Sequence, residues 1–450
     1  MTDFTEYFDG LLDIKYDGAS VSGAEIDSRR VENGNIFFAC KGKNADGNRF
    51  AQDAVDKGAA IVVMDDPGLY AAVTGNKALV NDSQSALLSM GAKKLATTSA
   101  IKIAVTGSYG KTSTKEMLKL VLSKKYKTYA TKGNYNNSLG VSLTACGIDD
   151  DAEAAVFELG SNGIGEISAL SAFVSPQIAV ITGLGYAHVG KFGSIEAVAR
   201  EKLSVADGLS ESGVMVVHEV FKDDIARKYV KMLKRFVTFG RTDSADIRIL
   251  DCIAAGNKLV FTISTADGEY PCTLNYLYPH IAENFLAAVA VGRLLSIPYD
   301  AITPALAEYT LPSGRGDVIE AGSFTIINDC YNASLEAVER AIDGLGLLGI
   351  SPKYALIGEI GEIDGYEDFV YGRLMDKTKE YPDIRFIFSG VSYSNYKQTV
   401  NVIIAPFEDD TNRCLDKIDK GVVLIKASRM YGFEKYKNLL LSKTRSKNAV

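Results

Sequence analysis

The chain has 450 residues, of which 47% are hydrophobic and 23% charged, and its formal net charge is −7. This length predicts roughly two to four domains, and the composition is that of a globular protein. The acidity argues against nucleic-acid binding, and no apolar run approaches the roughly 20 residues of a membrane span. Six scattered cysteines without a C-x-x-C pair, and an acidic N-terminus unlike a signal peptide, predict a cytoplasmic protein with reduced thiols.

A small α/β domain is predicted over residues 1–96. The apolar stretches 35–40 and 60–66 have the character of buried strands, and the intervening segment 49–59 has the pattern of a helix closed by glycine. Strand, helix and strand in this order indicate a parallel pairing.

A central domain is predicted over residues 97–311. Apolar strands that run into polar loops are predicted at 101–107, 154–160 and 176–185. Their alternation with helices favours a mostly parallel sheet, with binding sites at the carboxyl ends of the strands. Short alternating stretches from about 236 to 279 predict an appended antiparallel element, and a helix is predicted at 282–296.

A third, Rossmann-like domain is predicted over residues 312–450, after a hinge at 311–317. Its strands are predicted at 324–330, 354–360, 385–390 and 421–428, with helical patterns between them. The predicted fold class is therefore α/β with three domains: a small α/β domain, a central phosphate-loop domain with a parallel sheet and appended β element, and a Rossmann-like domain.

The stretch "AVTGSYGKTSTKEM" (104–117) has a phosphate-binding pattern of unusual length. The common G-x-x-x-x-G-K-[ST] loop would need glycine at position 105, which is valine. A strand followed by G-x-x-G-K-T and a helix still places the N–H groups of residues 107–112 around an anion. Lys111 would add positive charge beside the phosphates, and the Thr112 hydroxyl would bind Mg²⁺.

Three further side chains are candidates for the same site. Glu158 ends a predicted buried strand, where a carboxylate needs a partner. His188 follows another strand end, and on its chemistry alone a structural role and a functional role are equally favoured. Lys202, taken alone, has the pattern of a surface lysine on a helix.

Together these residues resemble the Mur ligases, three-domain ATP-dependent amide ligases of peptidoglycan precursor synthesis. The short T-G-S-x-G-K-T-S loop is similar to theirs and explains the spacing. The resemblance extends from about residue 20 to 440 and is carried by the stretches "DSRRVENGNIFFACKGKNADGNRFA", "GSYGKTSTKEM", "GNYNNSLGVSLT", "FELGSNGIGEI", "AHVGKFGSIEAVAREK", "INDCYNAS" and "VLIKASRMYGFEK". Members that add D-alanyl-D-alanine to UDP-N-acetylmuramoyl-tripeptide are the most similar.

The resemblance implies roles for residues in all three domains. Lys111, His188 and Lys202 would be catalytic, with Lys202 at the position that several members carry as a carbamate. The implied Mg²⁺ ligands are Thr112, Glu158, His188 and Lys202. ATP would contact Gly107, Ser108, Gly110, Lys111, Thr112, Ser113, Asn284, Arg315, Asp329, Tyr331 and Asn332. The implied substrate-binding residues are Ser28, Arg29, Asn136, Asn137, Lys426, Ser428 and Arg429.

The implied chemistry is ATP-dependent. A peptide carboxylate attacks the γ-phosphate to give an acyl phosphate, from which an amine displaces phosphate. The resemblance implies UDP-N-acetylmuramoyl-tripeptide and D-alanyl-D-alanine as substrates, no nucleic-acid partner and a monomer.

The sequence departs from the family pattern mainly in the third domain. The segment after His188 lacks an acidic residue, Ser334 and Leu335 replace Asn and Pro, and Tyr371 replaces a histidine. Two alternatives therefore stay open: a sibling ligase that uses another acid or amine, and a non-catalytic nucleotide-binding paralogue.

Overall fold

The computed structural model describes residues 7–42, 45–223, 236–255, 258–276 and 279–447. It contains three sheets of five, nine and six strands, and each sheet lies within one of the three predicted ranges. The predicted α/β class with mostly parallel sheets is confirmed, whereas the division after residues 96 and 311 stays a prediction. Within the described residues, no helix is long and apolar enough to cross a membrane. Each of the six cysteines is a free thiol.

The first sheet has the order β1-β5-β4-β3-β2, in which only β1 is antiparallel to its neighbour. Its strands are β1 Leu11–Lys15, β2 Gly23–Glu25, β3 Asn35–Phe38, β4 Ile61–Met64 and β5 Lys77–Val80. The α-helices are Ala51–Asp56, Pro67–Ala72 and Ser83–Thr97, with 3₁₀ turns at Ser28–Arg30 and Gly47–Phe50. The helix predicted at 49–59 is shorter than expected because a 3₁₀ turn precedes it and Gly58, with φ +94°, follows it.

The central sheet has the order β14-β13-β12-β11-β10-β9-β6-β8-β7. Its strands are β6 Ile101–Thr106, β7 Thr128–Ala130, β8 Ala154–Glu158, β9 Ile178–Ile181, β10 Val214–His218, β11 Phe236–Gly240, β12 Ile247–Ala255, β13 Lys258–Thr265 and β14 Gly268–Leu274. The prediction that the antiparallel element begins at 236 was wrong. β11 pairs in parallel with both β10 and β12, and antiparallel pairing is confined to β12, β13 and β14.

Helices cover both faces of the central sheet, and the first of them positions the phosphate loop. The α-helices are Lys111–Leu122, Ser138–Cys146, Glu166–Val174, Val189–Phe192, Ile195–Leu203, Pro279–Leu294 and Tyr299–Ala307, with 3₁₀ turns at Ser204–Gly208 and Glu219–Phe221. Met117, Leu118 and Val121 of the first helix are fully buried in the apolar core against β6. The same core continues to Leu335 and Val338 of the third domain, so the two domains share packed apolar surface.

The third sheet has the order β15-β16-β20-β17-β18-β19, and only β15 is antiparallel to its neighbour. Its strands are β15 Asp317–Ala321, β16 Phe324–Asn328, β17 Lys353–Gly358, β18 Ile384–Ser389, β19 Val402–Ala405 and β20 Gly421–Lys426. The α-helices are Leu335–Gly346, Glu367–Thr378, Glu408–Asp416 and Glu434–Lys447, with 3₁₀ turns at Val391–Tyr393 and Arg429–Tyr431. The carboxyl ends of β16 and β20 place Asp329 and Lys426 toward the central domain.

Candidate active site

The phosphate loop connects β6 to the helix Lys111–Leu122. Gly107 and Gly110 have φ values of +145° and +78°, which favour glycine. A Cβ at Gly110 would also lie 2.5 Å from Oδ1 of Asn284. The Lys111 ammonium donates a 2.7 Å hydrogen bond to the carbonyl of Gly107, and burial lowers the pKa of Lys111. The loop is thus a compact cradle with a cation at its centre.

Glu158 lies at the end of β8 with one carboxylate oxygen held and the other unpaired. Its side chain is 1% exposed. Oε1 accepts a 2.9 Å hydrogen bond from the Asn136 amide, and the Glu158 N–H donates to the Thr131 hydroxyl at 3.1 Å. Among the described residues, Oε2 has no hydrogen-bond partner, and the buried Ser108 hydroxyl has none either. Buried oxygens of this kind require a partner, and a cation with its ligands provides one.

Lys202 is a buried amine on the helix Ile195–Leu203. It is 2% exposed, and its Nζ donates a 2.7 Å hydrogen bond to the Ser161 hydroxyl. Burial, reinforced by the charge of Lys111, lowers the pKa of Lys202 to about 7. The prediction of a surface lysine, made from this segment alone, is therefore wrong, because the helix directs the Lys202 side chain into the protein.

His188 has a left-handed backbone conformation, with φ +60°, at the start of a short helix. Its Nδ1 contacts the carboxylate of Glu362, a residue of the third domain that also contacts Lys191. Burial and the charges of Lys111 and Lys202 lower the pKa of His188, and the Glu362 carboxylate opposes them. An acidic side chain therefore reaches His188 from the third domain, although the segment 189–194 directly after it has none.

One cavity of about 390 Å³ collects most of the predicted site residues from the central and third domains. It is lined by Ser108, Gly110, Lys111, Thr112, Ser113, Asn136, Glu158, His188, Asn284, Arg315, Asp329, Tyr331, Asn332 and Lys426. Gly107 supports it through its bond to Lys111, and Lys202 through its bond to Ser161, which also lines the cavity. The side chains that were grouped by sequence pattern therefore surround one space.

The third domain contributes Arg315 and the ion pair of Lys426 and Asp329 to this cavity, and Arg429 lies beside it in the neighbouring cavity. Lys426 donates a 2.6 Å hydrogen bond to Asp329, and burial raises the pKa of Asp329 even though the Lys426 charge opposes this. The Arg315 guanidinium lies 4.1 Å from the centre of the Tyr331 ring, and the Arg429 guanidinium lies 4.9 Å from it. Arginine groups stacked on an aromatic ring keep their hydrogen-bond donors available for anions.

The remaining predicted residues lie outside this cavity. Arg429 lines a neighbouring cavity of about 740 Å³, which shares Arg315 and Tyr331. Ser28 and Arg29 line a separate cavity of about 810 Å³ in the first domain. Asn137 caps the helix Ser138–Cys146 by accepting the N–H of Gly140 at 2.9 Å. The Ser428 hydroxyl accepts the N–H of Gly361 at 2.9 Å. The side chains of Asn137 and Ser428 thus bind backbone N–H groups of the protein itself.

Sequence reasoning missed several residues that shape the site. Tyr109 and Arg340 line the cavity, and Arg340 pairs with Glu283 of the central domain. Lys115 is fully buried and donates to the carbonyls of Thr131 and Gly133 at 2.6 and 2.9 Å. In the G-S-x-G-K-T pattern Tyr109 occupies the variable position, so the sequence assigned it no role. Nothing in the sequence indicated that Arg340 pairs with Glu283.

The residues that line the cavity are suited to bind a nucleoside triphosphate together with Mg²⁺. Loop N–H groups, Lys111 and Arg315 provide positive charge for phosphates. The unpaired oxygen of Glu158 and the Thr112 hydroxyl are hard oxygen ligands of the type that Mg²⁺ uses together with phosphates and water. Among the described residues, no three His, Cys, Asp or Glu side chains come together to hold a metal ion by themselves, at this cavity or elsewhere.

Comparisons with known proteins identify the family of the chain. Residues 105–292 match the model of the Mur ligase middle domain, and residues 20–96 match that of the Mur ligase family, catalytic domain. The UDP-N-acetylmuramoyl-tripeptide–D-alanyl-D-alanine ligase of Rickettsia prowazekii is 31% identical over 75% of this chain and 76% of its own length. The Bacillus subtilis enzyme of the same name is 30% identical over 80% and 78%.

A solved structure extends the similarity to the whole fold. The crystal structure of MurF from Acinetobacter baumannii superposes with a TM-score of 0.82 at 26% identity and covers 93% of each chain. Phosphate loop, buried carboxylate and third-domain cations thus occur in a chain whose sequence and fold match one group of enzymes. The chain belongs to the Mur ligase family of ATP-dependent ligases.

Proposed function

We propose that this protein joins D-alanyl-D-alanine to UDP-N-acetylmuramoyl-tripeptide with cleavage of ATP to ADP and phosphate, as a step in peptidoglycan precursor synthesis. The names of its relatives support the choice of substrates. The observation that carries the proposal is the single cavity in which the phosphate loop and Glu158 meet Arg315 and Lys426 of the third domain. A ligase must hold an acyl donor, a phosphate donor and an amine together, and such a junction can do so.

The central-domain residues would act on the first step, in which the peptide carboxylate attacks the γ-phosphate. Lys111 and the loop N–H groups would neutralise the phosphate oxygens as the bond to the leaving ADP breaks. Glu158, Thr112, His188 and Lys202 would hold Mg²⁺, which supplies charge stabilisation at the transferred phosphoryl group when bound. The proposal includes carbamylation of Lys202, which would make this side chain an oxygen ligand. Carbamylation requires a neutral amine, and the lowered pKa of Lys202 provides one.

The first- and third-domain residues would hold the other two substrates. Ser28 and Arg29 border the cavity that we assign to the uridine nucleotide, and Asn136 faces the peptide. Asn284, Asp329, Tyr331 and Asn332 would contact the nucleotide, whereas Lys426 and Arg429 would face the amine. Asn137 and Ser428 would support these contacts indirectly. This assignment assumes domains at residues 1–96, 97–311 and 312–450. We also propose that the enzyme is monomeric and cytoplasmic.

The test is phosphate release from Mg-ATP and UDP-N-acetylmuramoyl-tripeptide, with and without D-alanyl-D-alanine, with mass spectrometry of the products. The proposal expects release that depends on both substrates and a product heavier by the dipeptide. Turnover with a different amine alone would contradict the substrate assignment and favour a sibling ligase. Lack of turnover with any amine, in a protein that still binds ATP, would favour a non-catalytic paralogue.

A further inference from the structure

The tip of the phosphate loop contacts the third domain through a stacked pair of side chains. The Arg340 guanidinium lies 4.5 Å from the centre of the Tyr109 ring. One of its nitrogens donates a 3.0 Å hydrogen bond to the Tyr109 hydroxyl. Arg340 belongs to the helix Leu335–Gly346, and Tyr109 immediately precedes Gly110 and Lys111. A residue of the third domain therefore touches the loop that would cradle phosphate.

The Tyr109 ring also packs closely against the backbone of the central domain. A Cβ at Gly183 would lie 2.4 Å from the ring, so the ring rests directly on the backbone after β9. The Thr182 hydroxyl donates a hydrogen bond to the Tyr109 carbonyl, and the Gly183 carbonyl accepts the N–H of Ser108 at 2.9 Å. Tyr109 is thus held by contacts with the central sheet as well as with Arg340.

Arg340 is itself anchored by a buried carboxylate. Its second terminal nitrogen lies 2.9 Å from Oε2 of Glu283, which is 7% exposed and also contacts Arg241. Burial alone would raise the pKa of Glu283, but the His218 imidazole, whose Nε2 lies 3.8 Å from Oε2, and the charges of Arg340 and Arg241 lower it overall.

Glu283 precedes Asn284, the residue packed against Gly110, so one helix of the central domain holds both Arg340 and the loop. Movement of the helix Leu335–Gly346 away from the central domain would break the stack on Tyr109. The same movement would deprive Glu283 of one of its charged partners. Loss of a partner from a buried charge is costly.

We propose that Arg340 is a positioning residue that fixes the third domain against the phosphate loop through Tyr109. The contact sets the loop and the third-domain cations in one arrangement for phosphoryl transfer. The inference rests on the use of ATP by the proposed ligase and does not depend on which amine is joined. Arg340 acts here through Tyr109, whereas a direct contact with the nucleotide would make the two residues independent.

A double-mutant cycle separates these two roles. The variants are Arg340→Leu, Tyr109→Leu and the double variant, with kcat and KM measured by phosphate release and the affinity for a non-hydrolysable ATP analogue measured by calorimetry. We expect Arg340→Leu to lower kcat about tenfold while the Kd for the analogue stays within about twofold. Tyr109→Leu should add little further loss in the Arg340→Leu background, and Tyr109→Phe, which keeps the ring face, should retain most activity.

Arg373→Leu is the matched control. Arg373 makes a bidentate ion pair with Glu339 inside the third domain and does not line the cavity. Its replacement should leave kcat unchanged. Additive losses in the cycle would overturn the proposal, and so would a roughly tenfold weaker analogue affinity in Arg340→Leu alone.

A second measurement needs no substrate. The chain has no tryptophan, and Phe369 packs against Tyr186 across the same domain boundary with ring centres 4.8 Å apart. The tryptophan introduced by Phe369→Trp would therefore be the sole source of tryptophan fluorescence in the variant. Adding Arg340→Leu should increase its quenching by acrylamide, whereas adding Arg373→Leu should not.

Unchanged quenching in the Arg340→Leu variant would overturn the proposal whatever the activity shows. If the unmodified protein released no phosphate with the proposed substrates, the proposed function would fail while the quenching comparison would still decide the role of Arg340.

Discussion

The side-chain amide of Asn136 donates a 2.9 Å hydrogen bond to Oε1 of Glu158 and leaves Oε2 as the unpaired oxygen of that buried carboxylate. Asn136 also lines the cavity, so it can orient a metal ligand as well as face the peptide. Replacement of a residue that orients a metal ligand typically lowers metal affinity by about 10–100-fold.

We therefore expect Asn136→Ala to raise the Mg²⁺ concentration for half-maximal activity by about tenfold or more. Activity should recover in part at high Mg²⁺. The measurement is a Mg²⁺ titration of ATP turnover. Asn275→Ala is the control, because Asn275 donates to a backbone carbonyl in the same domain but lies outside the cavity. An unchanged Mg²⁺ requirement in Asn136→Ala would show that the bond to Glu158 does not position a metal ligand.

Replacement of Lys111 should abolish most turnover. Lys111→Ala removes the charge at the centre of the loop, and removal of one preorganised electrostatic contact costs about 10²–10³ in kcat. Steady-state phosphate release measures the loss. Lys119→Ala is the control, since Lys119 is exposed on the same helix. Equal activity of the two variants would exclude a role for Lys111 in phosphoryl transfer.

Activity should depend on carbon dioxide and fall at acidic pH. The pKa of Lys202 is lowered to about 7, so its amine is mostly neutral above that value and increasingly protonated below it. Because only the neutral amine forms a carbamate, we expect loss of activity as the pH falls through about 7 and in buffer free of carbon dioxide. A carbamate signal from ¹³C-bicarbonate in NMR spectra should be present in the unmodified protein and absent from Lys202→Met. A signal of equal intensity in the variant would place the carbamate elsewhere.

Removal of one partner from the ion pair between Asp329 and Lys426 should strongly destabilise the third domain, because it leaves a buried charge without its partner. Lys426 is 3% exposed, so Lys426→Met leaves a largely buried carboxylate unpaired and should cost about 3–5 kcal/mol in the free energy of unfolding. Addition of Asp329→Asn should restore part of that loss. Urea denaturation followed by circular dichroism measures both.

The ion pair between Lys353 and Asp383 gives the comparison, because its carboxylate is 60% exposed. Asp383→Asn should cost less than about 1 kcal/mol. Equal destabilisation by Lys426→Met and Asp383→Asn would show that burial does not increase the cost of breaking the Asp329 pair.

Local patterns were sufficient to predict the strands and the phosphate loop. An apolar run that ends in G-S-Y-G-K-T specifies a strand, a turn and a helix start within a dozen residues, and the structure has all three. The limits of the antiparallel element were not predictable, because β11 has the same alternating pattern whether its neighbours run parallel or antiparallel.

Contacts between distant segments could not be predicted from such patterns. The sequence around Lys202 is typical of a surface lysine, and only the fold places Ser161 beside it. Arg340 is 231 positions from Tyr109, so no local pattern indicates that they touch. Asn137 and Asn136 are equivalent in sequence. The helix start at Ser138 makes one of them a cap, and the position of Glu158 makes the other its partner.

The Tyr331 ring separates two cavities and belongs to the walls of both, with Arg315 stacked at 4.1 Å and Arg429 at 4.9 Å. A compound bound in either cavity would therefore press on the same ring. An inhibitor built to occupy the nucleotide cavity would thus touch side chains that also line the neighbouring one. A compound that spans both cavities would meet the Tyr331 ring, together with the guanidinium groups of Arg315 and Arg429, at the point where the cavities join.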